Sequence, residues 1–366
     1  MADTPTLKPW IEAIHPYVPG RSKAADGREL VKLSANENPL GCSHKVLEAL
    51  ARDHRPHLYP DPDATALREA IGALHGIDPA RIVCGTGSGE LLHGAVQAFA
   101  GPGDEVLFSR YSFSLYPLLA HKVGAEAVMA GDRDYAPDVD AFLAAVTPRT
   151  KVVLLDNPNN PVGTWLDAGE VARLHSGLPK DTLLVVDQAY AEFLEDDEDD
   201  GGMALAANHA NVLVTRTFAK AYGIAGERVG WATGAPELVG ALNRLRGAFN
   251  VTASGQSAAL AALDDQHFVA RTRDANNAVR AHFVERIASL GNHGLRALPS
   301  KANFVLVVFE GGISADAALT AIAEAGYAVR HLPGQRLPQA LRITIGTQEQ
   351  MDAIADVLRD LCEGAA

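Results

Sequence analysis

Between residues 81 and 216 the chain carries five short apolar runs that do not alternate with polar positions: "RIVCG" (81–85), "DEVLFS" (104–109), "KVVLLD" (151–156), "TLLVVD" (182–187) and "NVLVTR" (211–216). An unbroken run buries both faces of a strand, as in a parallel sheet covered by helices. The amphipathic stretches between the runs supply those helices. "RVGWATG" (228–234) follows the last run too closely for a helical crossover and is predicted to lie antiparallel to a neighbour. A long helical stretch over 254–291 leads into a second pattern, in which "NFVLVVF" (303–309), "YAVRHL" (327–332) and "LRITIG" (341–346) alternate with helical segments. The pattern predicts an α/β chain: a large, mostly parallel sheet flanked by helices, plus a smaller α+β domain.

Composition narrows the function classes. A length of 366 residues is large for one core, in keeping with two unequal domains. The net charge of −13 leaves no overall basic field to attract a nucleic-acid backbone or an anionic membrane. No stretch approaches the roughly 18 consecutive apolar residues of a membrane span, and the amino terminus lacks a cationic region followed by an apolar one. A soluble, cytoplasmic protein is expected. Cys42, Cys84 and Cys362 are widely spaced and without C-x-x-C, which suits neither a disulfide framework nor a zinc cage. No histidine pair has H-E-x-x-H spacing, and the acidic run "EDDEDDGG" (195–202) is expected to be a solvated loop, so no metal site is anticipated.

In an open parallel sheet, ligands bind beyond the carboxyl ends of the strands. After "RIVCG" comes "TGSGELL", a glycine-rich turn opening a helix, whose free N–H groups and dipole suit a phosphate. Alone, Gly85, Gly87 and Gly89 could equally form a tight turn, and the dinucleotide pattern fails because Glu90 stands where a third glycine is required. "NPNNPVG" (157–163), taken alone, is no more than turn chemistry. Asp187 ends so apolar a strand that its carboxylate needs donors or a cation. Thr217, Lys220 and Arg228 follow "NVLVTR", and Tyr111 follows "DEVLFS". Together these make a phosphate cradle, a lysine amine for an aldehyde, a carboxylate for a pyridine nitrogen and donors for a phenolate. The ligand with those four demands is pyridoxal 5'-phosphate.

With these pieces in order, and with "PYVPG" (16–20), "LSANENPLG" (33–41), "LYPDP" (58–62), "RTFAKAYGIAGERVGW" (216–231) and "LRITIGT" (341–347) beside them, the chain resembles the fold-type I aminotransferases, in particular the branch acting on histidinol phosphate. The resemblance implies a residue-by-residue site. Lys220 carries the cofactor and shuttles the proton, and Asp187 pairs with the pyridine nitrogen. Asn157 and Tyr190 bond the ring oxygen, while Tyr111 stacks on the ring. Gly87, Ser88, Gly89, Thr217 and Arg228 hold the phosphate, with Tyr59 reaching it from the partner subunit of a homodimer. Tyr17, Arg330 and Arg342 take the anionic tails of histidinol phosphate and 2-oxoglutarate or glutamate. Two positions depart from the family's usual residues: Ala219 stands for a serine and Gly89 for an aspartate, which puts cofactor retention in question. The resemblance further implies an arm over 1–32 packing with the small domain, a large domain over 33–249 and a small one over 250–366. Because a guanidinium grips phosphate and carboxylate alike, an aromatic amino-acid aminotransferase remains open as an alternative, and more remotely a pyridoxal-phosphate decarboxylase.

Overall fold

The structure, a computed structural model, describes residues 5–12, 14, 23, 27–52 and 54–364. Seven strands build the larger sheet: β1 (Ile82–Gly85), β2 (Glu105–Ser109), β3 (Glu126–Ala130), β4 (Thr150–Asp156), β5 (Leu183–Asp187), β6 (Val212–Thr217) and β7 (Gly230–Gly234). Their spatial order is β1-β7-β6-β5-β4-β2-β3. The four pairings among β2 to β6 are parallel, and β7 is antiparallel to both β6 and β1. The continuous apolar runs are buried along their whole length in β1, β2, β5 and β7, since helices cover both faces. β3 lies at the sheet edge and is only partly buried, which is why it lacks an apolar run of comparable strength.

A second, antiparallel sheet has the order β8-β9-β11-β10, from β8 (Leu295–Ala297), β9 (Phe304–Phe309), β10 (Arg330–Leu332) and β11 (Leu337–Thr344). The helix Gln348–Gly364 packs on it through Met351, Ile354, Ala355, Leu358 and Cys362, spaced to lie on one helical face. Residues 31–32 form a short strand parallel to Tyr327–Ala328, and the Thr344 N–H donates to the Leu33 carbonyl at 2.9 Å. The segment after it, 34–38, is thereby carried from the second sheet to the end of the first.

Three expectations need correction. The helical stretch 254–291 is two helices, Ala253–Leu263 and Gln266–Ala288, because Asp265 starts a new helix by accepting from the Phe268 N–H at 3.1 Å. "YAVRHL" is divided between the pairing with residues 31–32 and β10. The acidic run is not merely solvated. Asp200 is buried and accepts from Gln188 and from the Gly202 N–H, while Glu198 and Asp196 pair with Lys301 and Arg273.

Candidate active site

A cleft of about 640 Å³ opens at the carboxyl ends of β1, β5 and β6, closed on its other side by the second sheet and by residues 34–36. The parallel topology explains its position, because every crossover places a loop at this edge. Ser88, Gly89, Tyr190, Thr217, Lys220, Arg228, Arg330 and Arg342 all line it. Among the described residues its charged lining consists of Lys32, Lys220, Arg228, Arg330 and Arg342, although the chain as a whole has a net charge of −13. Such a lining selects anions.

At one end, Gly87 (φ 77°) precedes the twelve-residue helix Ser88–Phe99. A Cβ on Gly87 would come within 2.7 Å of the Arg228 guanidinium, and one on Gly230 within 2.3 Å of the Ser88 nitrogen. Glycine is needed at both places for the turn, the arginine and β7 to close up. Glu90 fixes the turn by reaching back to the Thr86 N–H (2.6 Å) and hydroxyl (2.8 Å), and it also accepts from Asn250 (2.7 Å). Ser88, Gly89, Thr217 and Arg228 thus surround a hollow supplied with N–H, hydroxyl and guanidinium donors, to which the helix dipole adds. This donor set fits the phosphate of pyridoxal phosphate.

The Lys220 Nζ lies 3.1 Å from the Ala35 carbonyl oxygen and 5.9 Å from the centre of the Tyr190 ring. Desolvation first, and the Arg342 cation second, lower its pKa from 10.5 to about 8. A neutral amine is therefore accessible near neutral pH. Asp187 is buried at the end of β5, where it accepts from the Thr215 hydroxyl (2.9 Å) and the Tyr116 hydroxyl (3.3 Å). Burial pushes its carboxyl up to about 6 despite those donors. The Tyr190 hydroxyl receives hydrogen bonds from Asn36 (2.8 Å) and Asn160 (3.3 Å), while burial raises its pKa to about 12. Arg342 donates to Asn160 Oδ1 (2.6 Å) and to the Ser34 carbonyl (2.8 Å), with Phe304 beneath its guanidinium. Arg330 is its direct cross-strand partner.

Two residues expected in the cleft point elsewhere. The Asn157 N–H continues the sheet pairing onto the Asp187 carbonyl, and its side-chain amide is occupied by both backbone groups of Leu166 and by Asp200. Asn160, three residues on, faces Tyr190 instead. Tyr111 stacks on Tyr135 with ring centres 5.3 Å apart, and Phe113 lines the cleft. The segments "NPNNPVG" and "RYSFSLY" contain the right residue types, but only the path of each loop selects among them. Tyr59 is 81% exposed, lies on Phe249 and is not among the residues lining the cleft. Tyr17 falls outside the described residues. Asn36, Tyr116 and Ser34 were not anticipated; "ANENP" was the available signal for the first.

Comparison with known proteins follows the same lines. A family model described as "Aminotransferase class I and II" matches residues 28–358. A histidinol-phosphate aminotransferase of Erythrobacter litoralis is 64% identical over the full length of both chains, and one of Zymomonas mobilis is 56% identical, also over the full length of both. Among solved structures, a histidinol-phosphate aminotransferase from Sinorhizobium meliloti in complex with pyridoxal-5'-phosphate covers all of both chains with a TM-score of 0.88 at 29% identity. A mutant Thermus thermophilus aspartate aminotransferase covers 98% of this chain and 100% of its own, with a TM-score of 0.82 at 25% identity. The match over nearly the whole chain, joined to a lysine-bearing cleft at the carboxyl edge of the sheet, places this protein in the class I and II aminotransferases, in the branch of the histidinol-phosphate aminotransferases.

Proposed function

We propose that the chain uses pyridoxal phosphate to exchange the amino group of L-histidinol phosphate with 2-oxoglutarate, in histidine biosynthesis in the cytoplasm. The observation that carries this reading is a cleft whose described lining includes five cations, one of them a desolvated lysine, with the Asp187 carboxylate buried at the end of β5. When bound, pyridoxal phosphate supplies an aldehyde that accepts an amino group and a ring that draws electrons from the adjacent carbon. The protein's own groups supply the rest. Ser88, Gly89, Thr217 and Arg228 bind the cofactor phosphate, and Asp187 holds a proton at the ring nitrogen. Tyr190 and Asn160 hydrogen-bond the ring oxygen, and Phe113 covers the ring. Lys220, held near the Ala35 carbonyl, takes and returns a proton at Nζ.

Arg342 and Arg330 bind the anionic tails of both substrates in turn, so the amino donor must leave before the keto acid enters. Tyr59, exposed on its own subunit, is assigned to the cofactor phosphate of the other subunit in a homodimer. Residues 33–249 are read as the cofactor domain, 250–366 as the small domain and 1–32 as an arm on it, in keeping with the pairing of residues 31–32 with 327–328. Leu115, Leu118 and Phe113 give the cleft an apolar wall as well, which favours aromatic amino acids as a second class of donor. Half-reaction kinetics with histidinol phosphate, phenylalanine and tyrosine offered separately test the assignment. A specificity constant at least about tenfold higher for histidinol phosphate is expected, the scale of one charged hydrogen bond; equal constants for all three would favour the aromatic reading.

A further inference from the structure

Among the described residues, Lys32 is a further cation lining the cleft. It lies on the short strand 31–32, beside Tyr327–Ala328 and hence next to the chain leading into Arg330. Strand alternation sends Leu33 into the core with Ile343 and Phe283, and leaves Lys32 and Ser34 on the opposite face, where both line the cleft. Arg330 and Arg342 face each other across β10 and β11. Lys32, Arg330 and Arg342 therefore all line the same cleft, the two arginines from neighbouring strands of the second sheet and Lys32 from the segment that runs beside it.

Their present partners differ. The Arg342 guanidinium is braced by Asn160 and Ser34, a fixed fork suited to one anionic group. The Lys32 Nζ instead holds Glu37 Oε1 at 2.7 Å, in a pair whose side chains are 42% and 45% exposed. So exposed an ion pair contributes little net stability and exchanges partners readily. A carboxylate is satisfied by the Arg342 fork, whereas a phosphate carries a second charge that a lysine ammonium can meet as a point charge without fixed geometry.

We propose that Lys32 determines specificity for a doubly charged phosphate tail on the amino donor, with Glu37 occupying its ammonium group until that tail arrives. The inference rests on the reading that histidinol phosphate is a substrate, and assigns the residue that separates it from a donor bearing a single carboxylate. Two opposing variants follow. Lys32→Met removes the charge while keeping most of the apolar stem. Glu37→Gln removes the competing anion.

The test compares the specificity constants for histidinol phosphate and phenylalanine as a ratio in the cofactor-loaded enzyme. Because Glu37 also supports protonation of Lys220, an effect on both donors alike is divided out by the ratio. Lys32→Met is expected to lower the ratio about fivefold, Glu37→Gln to raise it, and Lys32→Arg to retain it, the scale of a partly exposed charged contact. Phosphorus NMR titration of the loaded proteins with inorganic phosphate should show weaker binding for Lys32→Met and tighter binding for Glu37→Gln. A ratio that stays constant in both variants, or moves in the same direction in both, overturns the role given to Lys32. A wild-type enzyme that does not turn over histidinol phosphate at all overturns the substrate reading itself, a result distinct from an unmoved ratio.

Discussion

Asp156 and Asp187 end neighbouring parallel strands in direct register, yet their carboxylates serve different neighbours. Asp156 is buried and accepts from the Phe113 N–H (3.1 Å), the Asn160 N–H (2.8 Å) and the Asn159 side chain (3.1 Å). It thereby ties together the two loops that carry Phe113 and Asn160 to the cleft. Asp187 accepts from two hydroxyls, Thr215 and Tyr116. Burial, with the neighbouring Asp187 charge adding to it, holds the Asp156 carboxyl up to about 8.

A pH-dependent cost of Asp187 follows for the cofactor-free protein. Its carboxyl is raised from 3.8 to about 6, so the folded chain binds more protons than the unfolded one between those values. The stability it contributes is present below about pH 4 and lost as pH rises through 6. Asp187→Asn should therefore be more stable than wild type at pH 7, by up to about 3 kcal/mol, and the difference should vanish near pH 4. Denaturant unfolding at both pH values measures this. In the loaded enzyme the same variant should lose about a hundredfold or more in kcat, as removal of an electrostatic group aimed at developing charge does. A variant destabilised at pH 7 with kcat intact would make Asp187 a structural residue.

Asn157 and Asn160 should separate cleanly. Asn160→Ala removes a donor to Tyr190 and an acceptor for Arg342, so it should lower kcat/KM by about one to two orders of magnitude with little loss of fold. Asn157→Ala leaves the Leu166 backbone groups without their partner and takes one donor from Asp200, which keeps Gln188 and Gly202. It should cost about 1–3 kcal/mol of stability and act on turnover only through that loss. Thermal unfolding alongside kinetics distinguishes the pair, and the reverse pattern would restore Asn157 to the cleft.

The pKa of Lys220 gives a further check. In the cofactor-free protein its amine should react with an acylating reagent along a profile centred near pH 8, as its desolvation and the Arg342 charge require. The sign is that of a buried base: the stability linked to Lys220 is present above 10.5 and lost as pH falls through 8. Peptide mapping isolates the Lys220 signal from surface lysines. A profile centred near 10.5 would mean that the amine is solvated.

What the sequence disclosed and what it withheld divide along a physical line. The strand cores were legible because burial on both faces leaves unbroken apolar runs. Lys220, Thr217, Arg228, Ser88 and Gly89 were legible because they follow those strands closely, where the chain direction fixes the edge they reach. Asn160 and Phe113 were not, because they sit in loops whose course depends on Asp156, a carboxylate from another strand. Asn36 and Ser34 come from a segment far away in sequence, brought in by the pairing of residues 31–33 with the second sheet. The helix break at Asp264–Asp265 was masked by the apolar and helix-forming residues around it.

The chemistry proposed for the cleft depends on one covalent attachment. Borohydride reduction of the cofactor-loaded protein, followed by proteolysis and mass spectrometry, should find pyridoxal phosphate fixed to the peptide containing Lys220, and the yellow absorbance of the loaded protein should be absent from Lys220→Ala. Attachment at Lys151 or Lys180, or retention of the absorbance in Lys220→Ala, would contradict it.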